Sequence, residues 1–296
     1  MLQFVQRIAA DVHEHGIGVG MQDAPLEAGG GHHRVDDREG ELAVGDGLPS
    51  RGTVGWHASM QTRRSPAFDL VQAPSRCVPT TMQDRDIPLE SWPRRAALAH
   101  FRGMAQPAFC VTVTVEVTGL RERAARHGAT PWLAYHHAAL EAANGIDGMR
   151  QTLKVDGSGV REFAVIHASS TVLRDDGSFG FLTLPREPVL AAFAVRAKAG
   201  IERVRSSSGS LFAGDDPREV REETLVHMTA LPWLAFTAFN HARGQGDDRP
   251  KMAFGRFTEQ AGRLLMPVAV DVHHALCDGV HVGRFFQQFQ AQLDAI

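Results

Sequence analysis

The sequence predicts an α/β protein: a two-layer sandwich in which a mixed, largely antiparallel sheet is covered by helices. Three observations carry this. Val111-Thr-Val-Thr-Val-Glu-Val117 alternates strictly between apolar and polar residues, the period of a half-buried strand. Thr130 to Asn144 opens with a capping threonine and Pro131 at the first helical position, then runs alanine-rich to a stop at Gly145. Segments of both kinds are interspersed along the chain, with several strands near enough to pair as hairpins.

From Thr81 onward the elements follow in order. Trp92 to Phe101 has a helical period with arginines at its start. After the strand at 111–117 and the helix at 131–144, strand-like pieces fall at Phe163 to His167 and Gly180 to Leu184. Asp175-Asp-Gly-Ser178 forms the turn between them. Pro188 to Val204 is helical in pattern, and Leu225 to Phe239 is apolar and strand-forming. Loops are expected at Ser206–Ser210, Asp215–Pro217 and Arg243–Arg249. The last sixty residues give strand, turn, strand and a closing helix.

The first eighty or so residues differ. Glycine is dense in Gly16-Ile-Gly-Val-Gly-Met and Glu27-Ala-Gly-Gly-Gly-His-His, and apart from short pieces such as Leu2 to Ile8 and Phe68 to Val71 no apolar period is sustained. Such composition does not offset its own ordering entropy, so residues 1–81 are expected to be a poorly ordered extension and 82–296 the folded domain. Translation from an upstream start codon, with Met82 as the natural beginning, is the alternative reading. His13, His15, His32 and His33 resemble a metal tract but lack the carboxylate or cysteine company of a closed site.

Composition narrows the function classes. A net charge of −3 gives no basic footprint for nucleic acid. No apolar run reaches the roughly 18–20 residues that cross a bilayer, so no membrane role is expected. Cys77, Cys110 and Cys277 are odd in number and unpaired in spacing, which fits a reducing cytoplasm.

Leu264 to His274 carries the chemistry. On a strand, Val268, Val270, Val272 and His274 share one face, and Ala269, Asp271 and His273 the other. His274 is thus expected among valines, facing a packed interior. Burial disfavours an imidazolium, and a neutral imidazole can accept a proton as a general base must. Asp278 and Gly279 make a turn, and Val282, Phe285, Phe286, Phe289 and Leu293 mark one face of a helix. A satisfied core histidine fits the same pattern. A metal site on His273, His274, Asp278 and His281 is disfavoured, because adjacent histidines point to opposite faces. Cys277 beside an aspartate would be a poor nucleophile. Residue patterns alone leave catalysis open.

Pro267-Val-Ala-Val-Asp-Val-His-His-Ala-Leu-Cys-Asp-Gly-Val-His-Val-Gly-Arg284 resembles the signature of the trimeric chloramphenicol acetyltransferase family. Leu89-Glu-Ser-Trp-Pro-Arg-Arg95 with Phe101, Pro107 and Phe109, then Thr229-Ala-Leu-Pro-Trp-Leu-Ala-Phe236, then Pro250 and Phe254-Gly-Arg-Phe257, match that family in order. The resemblance spans about residues 82 to 296. It implies acetyl-CoA as co-substrate, no permanently bound cofactor or metal, and direct transfer to the hydroxyl of a small molecule such as chloramphenicol. It further implies His274 as general base, Thr229 as oxyanion donor where the family uses serine, and an Asp278–Arg94 supporting pair. The implied assembly is a homotrimer with active sites between subunits. Ala253 departs from the threonine common near the oxyanion. A different alcohol or acyl donor, or a non-catalytic trimeric ligand-binding homologue, are the competing functions.

Overall fold

The structure is a computed structural model, and it describes residues 83–215 and 220–296. The predicted extension at 1–81, its histidines and Met82 lie outside the described residues.

A small antiparallel sheet comes first in the chain and joins β1 (Arg85–Pro88), β4 (Gly159–Glu162) and β3 (Gln151–Leu153), in that spatial order. The main sheet has seven strands. Its order is β2 (Ala108–Glu116), β10 (Arg263–His273), β8 (Lys251–Gly255), β7 (Leu225–Leu231), β5 (His167–Leu173) and β6 (Phe179–Leu184), with β9 (Thr258–Gln260) pairing β10 as well. Among the described residues only the β5–β7 and β7–β8 pairs are parallel. The α/β sandwich with a mixed, largely antiparallel sheet is therefore the fold.

The helices are α1 (Arg95–Phe101), α2 (Leu120–Arg126), α3 (Pro131–Asn144), α4 (Leu190–Arg205) and α5 (Gly279–Asp294). Thr130 caps α3 as its sequence predicts, its hydroxyl accepting from the Leu133 N–H at 3.3 Å. On α5 the five predicted apolar residues are all buried. Each such side chain contributes about 1.5–3 kcal/mol of burial, which fixes the helix against α3 and the sheet.

Several elements differ from the sequence expectation: β1, β3, β4 and α2 were not anticipated, and two strands have other bounds. β5 begins at His167, where the strand-like piece from Phe163 was expected to end. It enters the polar run Ala168-Ser-Ser-Thr171, whose hydroxyls find partners inside the fold: Ser170 on His136 and Thr171 on Thr229. The expected strand from Leu225 to Phe239 stops at Leu231. Pro232 has no N–H to donate to a ladder, and the following Trp233 and Leu234 stand exposed at 39% and 48%.

Candidate active site

β10 lies in the main sheet between β2 and β8, and Met266 to His273 is buried without interruption. Both of its faces are therefore covered. Arg243 spans the Asp271 side, giving Nε and Nη2 bonds of 2.9 and 2.6 Å to the carboxylate. The strict alternation used to orient His274 does not hold here. The strand ends one residue earlier, and His274 is only half-buried rather than the next valine-side position. Its backbone N–H makes a last rung to the Pro107 carbonyl at 2.8 Å. The N–H groups of Leu276 and Cys277 then both return to the His273 carbonyl at 3.0 Å, which curls the chain out of the sheet.

Aromatic rings hold the His274 imidazole in this curl. Phe101, the last residue of α1, stacks on it with centroids 4.0 Å apart and planes 10° from parallel. Phe109 on β2 tilts against it at 4.5 Å. Nδ1 is buried and has no hydrogen-bond partner among the described residues, which leaves Nε2 as the nitrogen free for a reactant.

The loop is braced by Arg94, just ahead of α1. Its guanidinium donates to the His274 carbonyl at 3.1 Å, the Ala275 carbonyl at 2.8 Å and Asp278 Oδ2 at 2.7 Å. The planar fork of arginine matches three acceptors in one plane better than a lysine point charge could. Asp278 is also the N-cap of α5. Its Oδ1 accepts from the Val280 N–H at 3.0 Å and lies 2.8 Å from His281 Nδ1. A carboxylate only accepts, so that contact puts the proton on Nδ1, and the Asp278 N–H 3.3 Å from the same nitrogen is then not bonded to it. Burial alone would raise the Asp278 carboxyl; the bonds from Arg94 and His281 outweigh it and hold the group well below the usual carboxylate range.

Two small features complete the loop. Gly148 packs directly under it, and a Cβ at that position would overlap the Leu276 carbonyl oxygen and come within 2.9 Å of Cys277 Sγ. Cys277 is sealed; burial pushes its thiol up to about 12, so it is no nucleophile. Among the described residues no group of three or more His, Cys, Asp or Glu is arranged to hold a metal ion.

Thr229 sits elsewhere. On β7 it pairs with Ala253 of β8, which pairs with Ala269 of β10. His274 lies five residues beyond Ala269. At a rise of about 3.3 Å per residue that is about 16 Å along the strands, and two strand spacings add about 10 Å across, so the two residues lie about 19 Å apart in one chain. The Thr229 hydroxyl is instead 2.9 Å from the hydroxyl of Thr171 on β5. No motif marks Thr171 or Gly148; both matter through contacts between distant segments. A hydroxyl–imidazole pair, Ser170 and His136 at 2.9 Å, is fully enclosed. Its Nδ1 is 2.8 Å from the Trp132 carbonyl and so carries the proton, and Nε2 accepts from Ser170. This pair is a core fastening.

The fold defines a class. A probable dihydrolipoamide acetyltransferase from Listeria monocytogenes shares it at 15% identity, with a TM-score of 0.52 over 72% of this chain and 95% of that one. A solved chloramphenicol acetyltransferase aligns over 71% of this chain and all of its own length, with a TM-score of 0.64 and 28% identity. The protein is an acyltransferase. The family model for chloramphenicol acetyltransferase matches residues 82–290, and the chain belongs to that family. Among its curated relatives, the chloramphenicol acetyltransferase of Streptomyces acrimycini is 30% identical over 70% of this chain and 93% of its own length. Chloramphenicol acetyltransferase 3 of Escherichia coli is 27% identical over 68% and 93%.

Proposed function

We propose that residues 82–296 form an acetyl-CoA-dependent O-acetyltransferase acting in the cytoplasm on a hydroxylated small molecule, chloramphenicol being the acceptor its relatives' names suggest. The observation that carries this is the three-bond brace from Arg94 to the loop that opens with His274. A core histidine needs no such device; a base that must be held at one angle does.

His274 Nε2 takes the proton of the acceptor hydroxyl as its oxygen attacks the thioester carbonyl of acetyl-CoA. The C–O bond forms, and the carbonyl pair moves onto oxygen, where the Thr229 O–H donates to the oxyanion. The pair returns, the C–S bond breaks, and the imidazolium gives its proton to the departing coenzyme A thiolate. Holding both substrates at once replaces an acyl-enzyme and supplies much of the rate.

The roughly 19 Å between His274 and Thr229 is too far for one reacting centre. It supports a site built from His274 of one subunit and Thr229 of the next, in a homotrimer. Trp233 and Leu234, exposed just beyond Thr229, form the kind of apolar surface that a partner covers.

The test is thiol release from acetyl-CoA with chloramphenicol, on the full chain and on a chain starting at Met82. Both should turn over, and His274→Ala should lose on the order of 10²–10⁴-fold in rate. Mixing refolded His274→Ala with Thr229→Val subunits in equal amounts should restore about a quarter of the sites of a cyclic trimer, since each site draws the two residues from different chains. Release with other alcohols but not chloramphenicol would reassign the acceptor. No release with any hydroxylated acceptor, or a His274→Ala variant as active as the parent, would end the proposal; no restoration on mixing would end the inter-subunit site.

A further inference from the structure

We infer that Thr171 is a positioning residue that sets the direction of the Thr229 hydroxyl proton, an inference that rests on the acyl-transfer role proposed for Thr229. A hydroxyl has a single proton to give. If Thr229 spends that proton on a neighbour, it has none for a developing oxyanion; it serves only if its neighbour donates to it instead.

The sheet leaves one neighbour in that position. The parallel register Ser170↔Met228 places Thr171 beside Thr229, and Thr229↔Ala253 places a methyl group on the other side. Across β5, β7, β8 and β10 the row reads Thr171, Thr229, Ala253, Ala269, so two hydroxyls are followed by two methyls. The hydroxyl oxygens are 2.9 Å apart, an ordinary hydrogen-bond distance. Either one can donate when no substrate is present. Once negative charge develops opposite Thr229, the favoured arrangement is a chain in one sense: Thr171 O–H to Thr229 Oγ1, and Thr229 O–H to the oxyanion. Each bond in such a chain polarises the next and strengthens it.

Both threonines are only partly buried, so the pair borders space a reactant can reach, unlike the sealed Ser170–His136 pair one residue away. Ser170 points to the helical side of the sheet and Thr171 to the other, as strand alternation requires. The run Ser169-Ser-Thr171 therefore divides its hydroxyls between core fastening and this chain.

The experiment compares Thr171→Val, which keeps the shape and removes the hydroxyl, with Thr171→Ser, which keeps the hydroxyl. Both are measured by thiol release in the parent and in the Thr229→Val background, with folding followed by circular dichroism. In the parent, Thr171→Val should lower kcat by about 2–12-fold, the effect of one hydrogen bond, with KM for acetyl-CoA within about twofold. Thr171→Ser should restore most of the loss. In the Thr229→Val background, Thr171→Val should cost nothing more, because the hydroxyl it orients is already gone. A Thr171→Val enzyme with parental kcat, an equal loss in both backgrounds, or no rescue by serine would overturn the inference while leaving acyl transfer standing. A parent chain without turnover would remove acyl transfer, and this inference with it.

Discussion

Arg94 shows how one side chain can fix a reactive group without touching a reactant. Its three acceptors are two consecutive carbonyls, of His274 and Ala275, and the carboxylate that caps the next helix. The bond to Asp278 is partly open to solvent, with side-chain exposures of 20% and 37%. As an ion pair it therefore contributes modestly to stability, and its main effect is geometric: it ties the start and the end of the His274 loop to one rigid plane. Lysine keeps the charge and loses the fork. Arg94→Lys is expected to retain the fold, with a melting temperature within a few degrees of the parent, while kcat/KM falls by about 10-fold or more, as loss of one or two charge-assisted bonds implies. A parental kcat/KM in that variant would mean the loop holds its shape without the guanidinium.

At the scale of elements, the helices other than α2 were legible, while α2 and the ends of strands were not. Thr130 and Pro131 announce α3, Asp278 and the spaced phenylalanines announce α5, and Asp175–Ser178 announces the β5–β6 turn, where Gly177 adopts φ +83°. These are local signals, complete within a few residues. The end of β10 depends on Pro107 and the start of β5 on its pairing with Leu225, and both partners are far away in sequence. Alternation places His274 among valines, yet the position of the imidazole follows from the curl after His273 and from Phe101 and Phe109. His274 and Asp278 were readable from one compact motif and Arg94 only through the family resemblance, and the structure brings those three together. Thr229, readable from its own segment, lies apart from them. Gly148 carries no motif at all, but the contact it makes is testable. Gly148→Ala forces a methyl into the Leu276 carbonyl, so the variant is expected to lose about 1–3 kcal/mol in stability, as overpacked sites do. It should also lose activity beyond what unfolding explains, because the displaced residues belong to the His274 loop. Denaturant unfolding and assay well below the melting point check the two parts, and an unchanged midpoint would show that the loop yields without cost.

At the scale of the whole molecule, the buried histidines set the response to acid. Burial lowers His136 to about 3; burial followed by neighbouring arginines lowers His167 to about 4; and burial, against the opposing charge of Asp271, lowers His241 to about 4. His137, His227 and His273 are lowered as well, each first by burial. In the unfolded chain all of them titrate near 6.5. Between that value and the lowered ones the unfolded chain binds more protons than the folded one, so stability rises with pH there. Their contribution is complete above about 6.5 and is withdrawn as the pH falls toward 4. The lowered carboxylates Asp84, Asp247 and Asp278 have the same sign but a different window, since their contribution is lost only as the pH drops below their ordinary 3.8. Asp248, raised by burial, opposes them. The melting temperature is therefore expected to be level from pH 8 to 7 and to fall steadily from about 6.5 to 4, before most carboxylates are protonated. His136→Gln, which can still bond to Ser170 without titrating, should flatten part of that slope. A melting curve level down to pH 4.5, or a slope that His136→Gln leaves untouched, would assign the acid response to other groups.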